Sequence, residues 1–210
     1  AGKTIDKVFL QKGLQGGLYK ELMPLLQAAQ VPVQYVPVEK LNRLTKKNHQ
    51  GVVANLSPVD YHNFEDLVIS VTESGATPLF LVLDHLSDVR NFGAIIRTAE
   101  CTGVSGIIIP KRGSVSITAD TVKTSAGAVF RVPICKVENL VDAVYYLQSS
   151  GIRVVAATEK TNQLLYAEDF TVPTAIVMGA EDVGVSPAVL KVVDSKAKLP
   201  MKGEIGSLNV

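Results

Sequence analysis

The stretch Leu79-Phe-Leu-Val-Leu83, continued by Asp84-His-Leu-Ser-Asp-Val-Arg-Asn91 and by Phe92-Gly-Ala-Ile-Ile-Arg-Thr-Ala-Glu-Cys101, decides the fold. An unbroken apolar run bounded by a polar loop reads as a strand buried on both faces, and the segment after the loop reads as a helix. Further strand runs lie at residues 106–109, 132–134, 152–156 and 174–178, separated by helical stretches at 119–128, 140–148 and 187–193. Strands buried on both faces and alternating with helices predict a parallel sheet in an α/β domain.

Towards the N-terminus the pattern is shorter and more polar. Apolar, β-branched runs at residues 8–10, 31–36 and 52–56 alternate with helical patterns at 19–29 and 39–46, which predicts a small βαβαβ unit. Its first strand begins almost at once, so an N-terminal helix or strand is expected to be missing. Residues 57–78 carry Pro58, Asn63, Ser74, Gly75 and Pro78 and read as connecting chain, with a helical turn or two at 64–71. The expected organisation is a small domain at 1–60, a linker at 61–78 and a larger α/β domain at 79–210.

The 210 residues are 47% hydrophobic and 20% charged with a net charge of +1, the composition of an ordinary globular chain. Near-zero charge neither demands nor excludes a nucleic-acid partner, because binding follows where charges cluster. Cys101 and Cys135 sit in separate apolar stretches, read as core residues, and suit a reducing compartment. His49, His62 and His85 have no ligand spacing, so no metal is expected. The chain has no apolar run of about 18 residues and no signal-peptide pattern, which points to the cytoplasm.

Ligands of open parallel sheets gather at the carboxyl ends of strands, where the 84–91 loop must lie. Asn91 stands where a helix N-cap is wanted, and capping alone would account for it. Gly93, costly inside a helix, implies close approach of another group. Arg97 by itself reads equally as a solvated side chain. After the run at 174–178 comes Gly179-Ala-Glu-Asp-Val-Gly184, a turn that places Glu181 at a strand's carboxyl end, where it could also be an ordinary turn carboxylate. Neither the Gly-x-Gly-x-x-Gly nor the P-loop pattern is present, which argues against a standard dinucleotide or nucleotide site.

Three sets, Asn91-x-Gly-x-x-x-Arg97-Thr-Ala, Gly179-x-Glu181-x-x-Gly184 and Leu199-Pro-Met-x-Gly-x-x-x-Ser207-Leu-Asn-Val210, resemble in order the three motifs of the SpoU (TrmH) family of RNA 2′-O-methyltransferases in the SPOUT superfamily. Lys47-Asn-His49-Gln50-Gly51-Val-Val-Ala54 is similar to the run that ends the substrate-binding domain of the SpoU branch, a domain resembling ribosomal protein L30e. The resemblance implies a C-terminal domain tied in a trefoil knot, among the rare exceptions to unknotted folding, preceded by an L30e-like domain.

It also implies S-adenosylmethionine as cofactor, with backbone near Gly179, Leu199 and Leu208 against its adenosine, and a catalytic set of Asn91, Arg97, Glu181, Ser207 and Asn209. In this family the arginine has been assigned as general base. A guanidinium stays protonated, and gripping an RNA phosphate while stabilising the developing alkoxide is a less demanding role for Arg97.

The two-domain pattern points to the 23S rRNA guanosine 2′-O-methyltransferase group, with a tRNA enzyme or a non-catalytic RNA-binding or ribosome-assembly protein as alternatives. Homodimerisation is expected from the family. Lys12, Arg43, Lys46 and Lys47 give the small domain a local basic excess that reads as a solvated face or as an RNA contact, and Lys123 would extend it. Family members run on past Ser207-Leu-Asn-Val210, so the catalytic domain is expected to be incomplete and to bind its cofactor weakly.

Overall fold

In the large unit, five of the six residues of β4 (Leu79–Asp84) are buried, as its apolar sequence requires. A computed structural model of the chain describes residues 4–201 and 203. The chain divides into two units, 1–60 and 61–210.

The first unit opens with β1 (Ile5–Gln11), α1 (Gly17–Ala28), β2 (Val33–Val36), α2 (Val38–Leu44) and β3 (Val52–Leu56). Its sheet has the order β2-β1-β3. β1 and β2 are parallel, joined through α1, whereas β3 runs antiparallel to β1. The direction of β3 follows from the 45–51 loop, whose Gly51 carbonyl accepts the Gln11 N–H at 2.8 Å and so starts β3 beside the carboxyl end of β1. Val8, Leu10 and Leu26 form the core on the α1 face, and Phe9, Val36 and Leu41 the core on the other.

The second unit continues with α3 (Phe64–Glu73), β4, α4 (Val89–Cys101), β5 (Gly106–Pro110), α5 (Ala119–Thr124), β6 (Ile134–Val137) and α6 (Leu140–Ser149). It closes with β7 (Arg153–Ala157), β8 (Thr174–Gly179), α7 (Pro187–Leu190) and β9 (Ser195–Ala197). Its six strands are all parallel, in the order β6-β5-β4-β8-β7-β9. Short bridges at either side, His62 to Cys135 and Leu164 to Lys198, add one residue pair each.

The stretch expected as a linker holds α3, a ten-residue helix capped by Asn63, whose side chain accepts the Asp66 N–H at 3.0 Å. Val68 is fully buried in the large core with Phe80 and Leu147, flanked by Phe64, Leu67 and Val71. These apolar residues recur at helical spacing, so burial of one face outweighs the turn-forming residues on either side. Elsewhere α7 is four residues long instead of seven, and a further three-residue strand, β9, follows it at 195–197.

Cys135 is buried as expected, and burial pushes its thiol pKa up to about 12. Cys101 is exposed, because it is the last residue of α4 and falls outside the buried stripe of Phe92, Ile95, Ile96 and Ala99. Among the described residues no helix is long and apolar enough to cross a membrane, and no cluster of three or more His, Cys, Asp or Glu could hold a metal.

Candidate active site

β4 and β8 are neighbours whose outgoing connections leave in opposite directions, β4 towards β5 and β8 towards β9. Such a switch point opens a crevice at the carboxyl edge of a parallel sheet. The loops that follow these two strands carry the residues of interest.

After β4 the chain turns at His85, whose φ of 58° is left-handed and unusual for a residue with a Cβ. Asp88 then caps α4, its Oδ1 accepting the N–H groups of Arg90 at 2.6 Å and Asn91 at 2.9 Å. The helix therefore begins two residues before Asn91, and the capping reading of Asn91 gives way. Released from that task, the Asn91 side chain donates from Nδ2 to Glu181 Oε1 at 2.6 Å. Two residues 90 positions apart in sequence meet at the switch point.

Glu181 belongs to a turn built on two glycines. Gly184 has a φ of 67° and donates its N–H to the Ala180 carbonyl at 2.8 Å. A Cβ on Gly179 would lie 2.0 Å from the Gly184 carbonyl carbon, so Gly179 makes room for the turn's own return. The close approach inferred at Gly93 is likewise to protein, because a Cβ there would meet Thr124 Oγ1 at 1.8 Å. Gly93 sets the spacing of α4 against α5.

Arg97 lies on α4 less than two turns beyond Asn91, exposed and without an ion pair or hydrogen bond among the described residues. Its guanidinium is available to an anion but is not joined to the Asn91–Glu181 pair. Leu199 and Met201, 46% and 42% exposed, follow β9 as apolar side chains open to a ligand. Ser207, Leu208 and Asn209, expected in the site, fall outside the described residues. So does the closing segment of the expected knot.

Lys12, Arg43, Lys46 and Lys47 are exposed and none is in an ion pair among the described residues. Lys12 follows β1 and Lys46 and Lys47 precede β3, which brings these three to the carboxyl end of β1. The loop under them is held by His49, whose Nδ1 accepts the Gly51 N–H at 3.0 Å while Nε2 lies 3.0 Å from Asn42 Oδ1. With Nδ1 accepting, the ring proton sits on Nε2 and donates to Asn42. Lys123 is exposed on α5 in the large unit.

Sequence reasoning missed the burial of three carboxylates among the described residues, Asp6 in β1, Asp84 and Glu168. Asp84 ends β4 and accepts the Ser186 N–H at 2.8 Å, and Glu168, in the long 158–173 connection, accepts from Arg153 and Gln163. Acidic residues in polar surroundings give no local sign of burial, which here depends on partners up to 102 residues away.

An open parallel sheet with a polar pair at its switch point is the layout of a ligand-handling α/β enzyme. Comparison with known proteins gives the kind. Residues 78–210 match the SpoU rRNA Methylase family and residues 1–62 match the RNA 2′-O ribose methyltransferase substrate-binding domain. The chain belongs to the SpoU methylase family and is an RNA methyltransferase of that family.

It is 37% identical over 210 residues, all of this chain and 84% of the other, to a Staphylococcus saprophyticus protein named for the TrmH family of tRNA/rRNA methyltransferases. The AdoMet-bound rRNA methyltransferase of Sinorhizobium meliloti shares the fold, with a TM-score of 0.65, 24% identity and coverage of 99% of this chain and 76% of the other. The TrmH/SpoU tRNA-modifying enzyme of A. aeolicus has a TM-score of 0.58 and 28% identity, and covers 70% of this chain and 76% of its own.

Proposed function

We propose that this chain methylates a ribose 2′-hydroxyl of structured RNA with S-adenosylmethionine as donor, and that the target is a guanosine of 23S rRNA. The observation that carries the reading is the hydrogen bond from Asn91 to Glu181 across the β4–β8 switch point. It brings together one residue from each of two motifs that resemble those of the family.

The site's composition suits the proposed cofactor. An adenosine wants apolar cover on its faces and backbone groups along its edge, and Leu199, Met201 and the end of β8 at Gly179 offer both chemistries. Bound there, S-adenosylmethionine supplies an electrophilic methyl group. The chain's own groups must align the ribose oxygen and manage the proton that it loses.

Asn91 holds Glu181 by one carboxylate oxygen. Arg97, exposed and unpaired among the described residues, grips an RNA phosphate and stabilises charge developing on the ribose oxygen. Ser207 and Asn209 complete the set by resemblance. Homodimerisation through the knotted domain and a cytoplasmic location belong to the same reading.

Support for rRNA over tRNA comes from the small domain. The S. meliloti rRNA enzyme aligns over 99% of this chain, while the A. aeolicus tRNA-modifying enzyme covers 70%. Lys12, Arg43, Lys46 and Lys47 on that domain supply the charge that RNA phosphates attract. The guanosine rests on the motif resemblance alone.

The deciding experiment is mass spectrometry of rRNA and tRNA from a deletion strain. One 2′-O-methylguanosine missing from 23S rRNA is expected, and a mark missing from tRNA instead redirects the assignment. For Arg97, a pH–rate profile of wild type against Arg97→Lys separates the roles. A bidentate phosphate grip predicts a loss of about tenfold or more with the profile unshifted, whereas a lysine variant retaining most activity rejects bidentate geometry.

A further inference from the structure

The roles above leave one buried charge at the site unused. Asp84 is 2% exposed, and taking a carboxylate out of water weakens a fold unless its oxygens are filled. Here both are filled. Oδ2 accepts the Ser186 backbone N–H at 2.8 Å, and Oδ1 lies 2.6 Å from the Nδ1 of the neighbouring His85.

These contacts place Asp84 at both ends of the Glu181 turn. Its backbone stands opposite Gly179 in the parallel register of β4 and β8, where the turn leaves the sheet. Its side chain holds Ser186, the N-cap of α7, where the turn ends. Between these points the Gly184 N–H closes the turn on the Ala180 carbonyl, Val185 is buried in the large core, and the Glu181 side chain meets Asn91. The exposed Glu181 thus sits on a turn whose two ends both meet Asp84. His85 contributes by accepting a left-handed φ of 58°, which brings its ring back onto Asp84. A non-glycine residue holds such a conformation only where its surroundings enforce it.

We infer that Asp84 is a positioning residue for methyl transfer, fixing the 179–186 turn at both ends and so holding Glu181 where Asn91 reaches it. The inference rests on the reading of Glu181 as a site residue. It concerns placement, since the hydrogen bonds of the Asp84 side chain go to Ser186 and His85 and not to Asn91 or Glu181.

The test is a double-mutant cycle in methyl transfer from labelled S-adenosylmethionine to an rRNA transcript, with thermal unfolding recorded for each variant. Asp84→Ala and Glu181→Ala are each expected to lower kcat about a hundredfold, the scale of a misplaced catalytic group. Since Asp84 acts through Glu181, the double variant is expected to fall within about threefold of the worse single one. Asp84→Asn keeps an oxygen for the Ser186 N–H and is expected to recover to within about tenfold of wild type.

Should Asp84→Ala not fold, Ser186→Pro carries the cycle, because it removes the donated N–H at a backbone φ of −59° that proline accepts. It is expected to match the loss for Asp84→Ala. Losses that multiply in the double variant, or an Asp84→Asn variant no better than Asp84→Ala, overturn the positioning role while leaving Glu181 in the site. Wild-type kcat in Glu181→Ala overturns the reading of Glu181, and the inference falls with it.

Discussion

At the carboxyl edge of the six-stranded sheet the site loop is braced from inside, by a buried carboxylate with a donor for each oxygen. At the carboxyl end of β1 in the three-stranded sheet the loop is braced near the surface, by His49 between Asn42 and Gly51, and it carries Lys46 and Lys47 free in water. The difference lies in where the bracing group of each loop sits. Residues on both faces of β4 are buried, so any polar atom among them must be satisfied in one geometry. The small unit also buries a carboxylate, Asp6 at 3% exposed, but near the amino end of β1, away from the lysine-bearing loop at its carboxyl end.

Each arrangement suits a different task. Methyl transfer asks for atoms held to within a fraction of an ångström, while capture of an RNA backbone asks for positive charge with freedom to adjust. Substitutions in the large unit should therefore act abruptly through the fold, and those in the small unit gradually through charge.

The largest expected effect is at Arg153. It pairs with Glu168, whose side chain is 0% exposed while its own is 33% exposed. Arg153→Ala leaves that carboxylate, among the described residues, to Gln163 and should cost about 3 kcal/mol in urea unfolding, as removal of one partner of a buried pair does. A loss below about 1 kcal/mol, the scale of a surface pair, would break the contrast between the units.

Gly93→Ala comes next, and here two effects of opposite sign compete. Helix propensity alone favours alanine by about 1 kcal/mol, but the new Cβ would meet Thr124, whose hydroxyl is held by the Asp120 carbonyl at 2.8 Å. Overpacking should win, giving a net loss of about 1–2 kcal/mol in thermal unfolding. A gain in stability would show that α5 yields easily.

The smallest effect is at Lys46→Ala combined with Lys47→Ala. Stability should stay within about 0.5 kcal/mol, as at most surface sites. The slope of log affinity for RNA against log salt should shallow by about 1.5 for two lost phosphate contacts. An unchanged slope would make this edge a solvated face and sharpen the division further.

The sequence makes the central strands legible because runs such as Leu79-Phe-Leu-Val-Leu83 have one sensible environment. Asn91 and Glu181 are legible through motif order, and their meeting confirms that the two loops share a place. Less visible is what polar residues do. Asp88 and Asn91 are equally good caps, and only the backbone decides that Asp88 takes the post and frees Asn91. The helix at 64–73 has its signal in Phe64, Leu67, Val68 and Val71, yet prolines and glycines on either side outweigh it when no packing partner is in view. Asp84 reads as a turn residue because Ser186, which gives it a purpose, lies far along the chain.

The single-residue bridges beside β6 and β9 have a consequence for solubility. A parallel sheet ending in long bare strands would offer unpaired backbone to any other chain and template stacking. Here β9 is three residues long, and beside it Lys198 exchanges hydrogen bonds with Gln163 and Leu165 at 2.9 Å, while His62 donates its N–H to Ile134 at the opposite side. Both margins of the sheet are thereby partly closed to intermolecular pairing by the molecule's own loops.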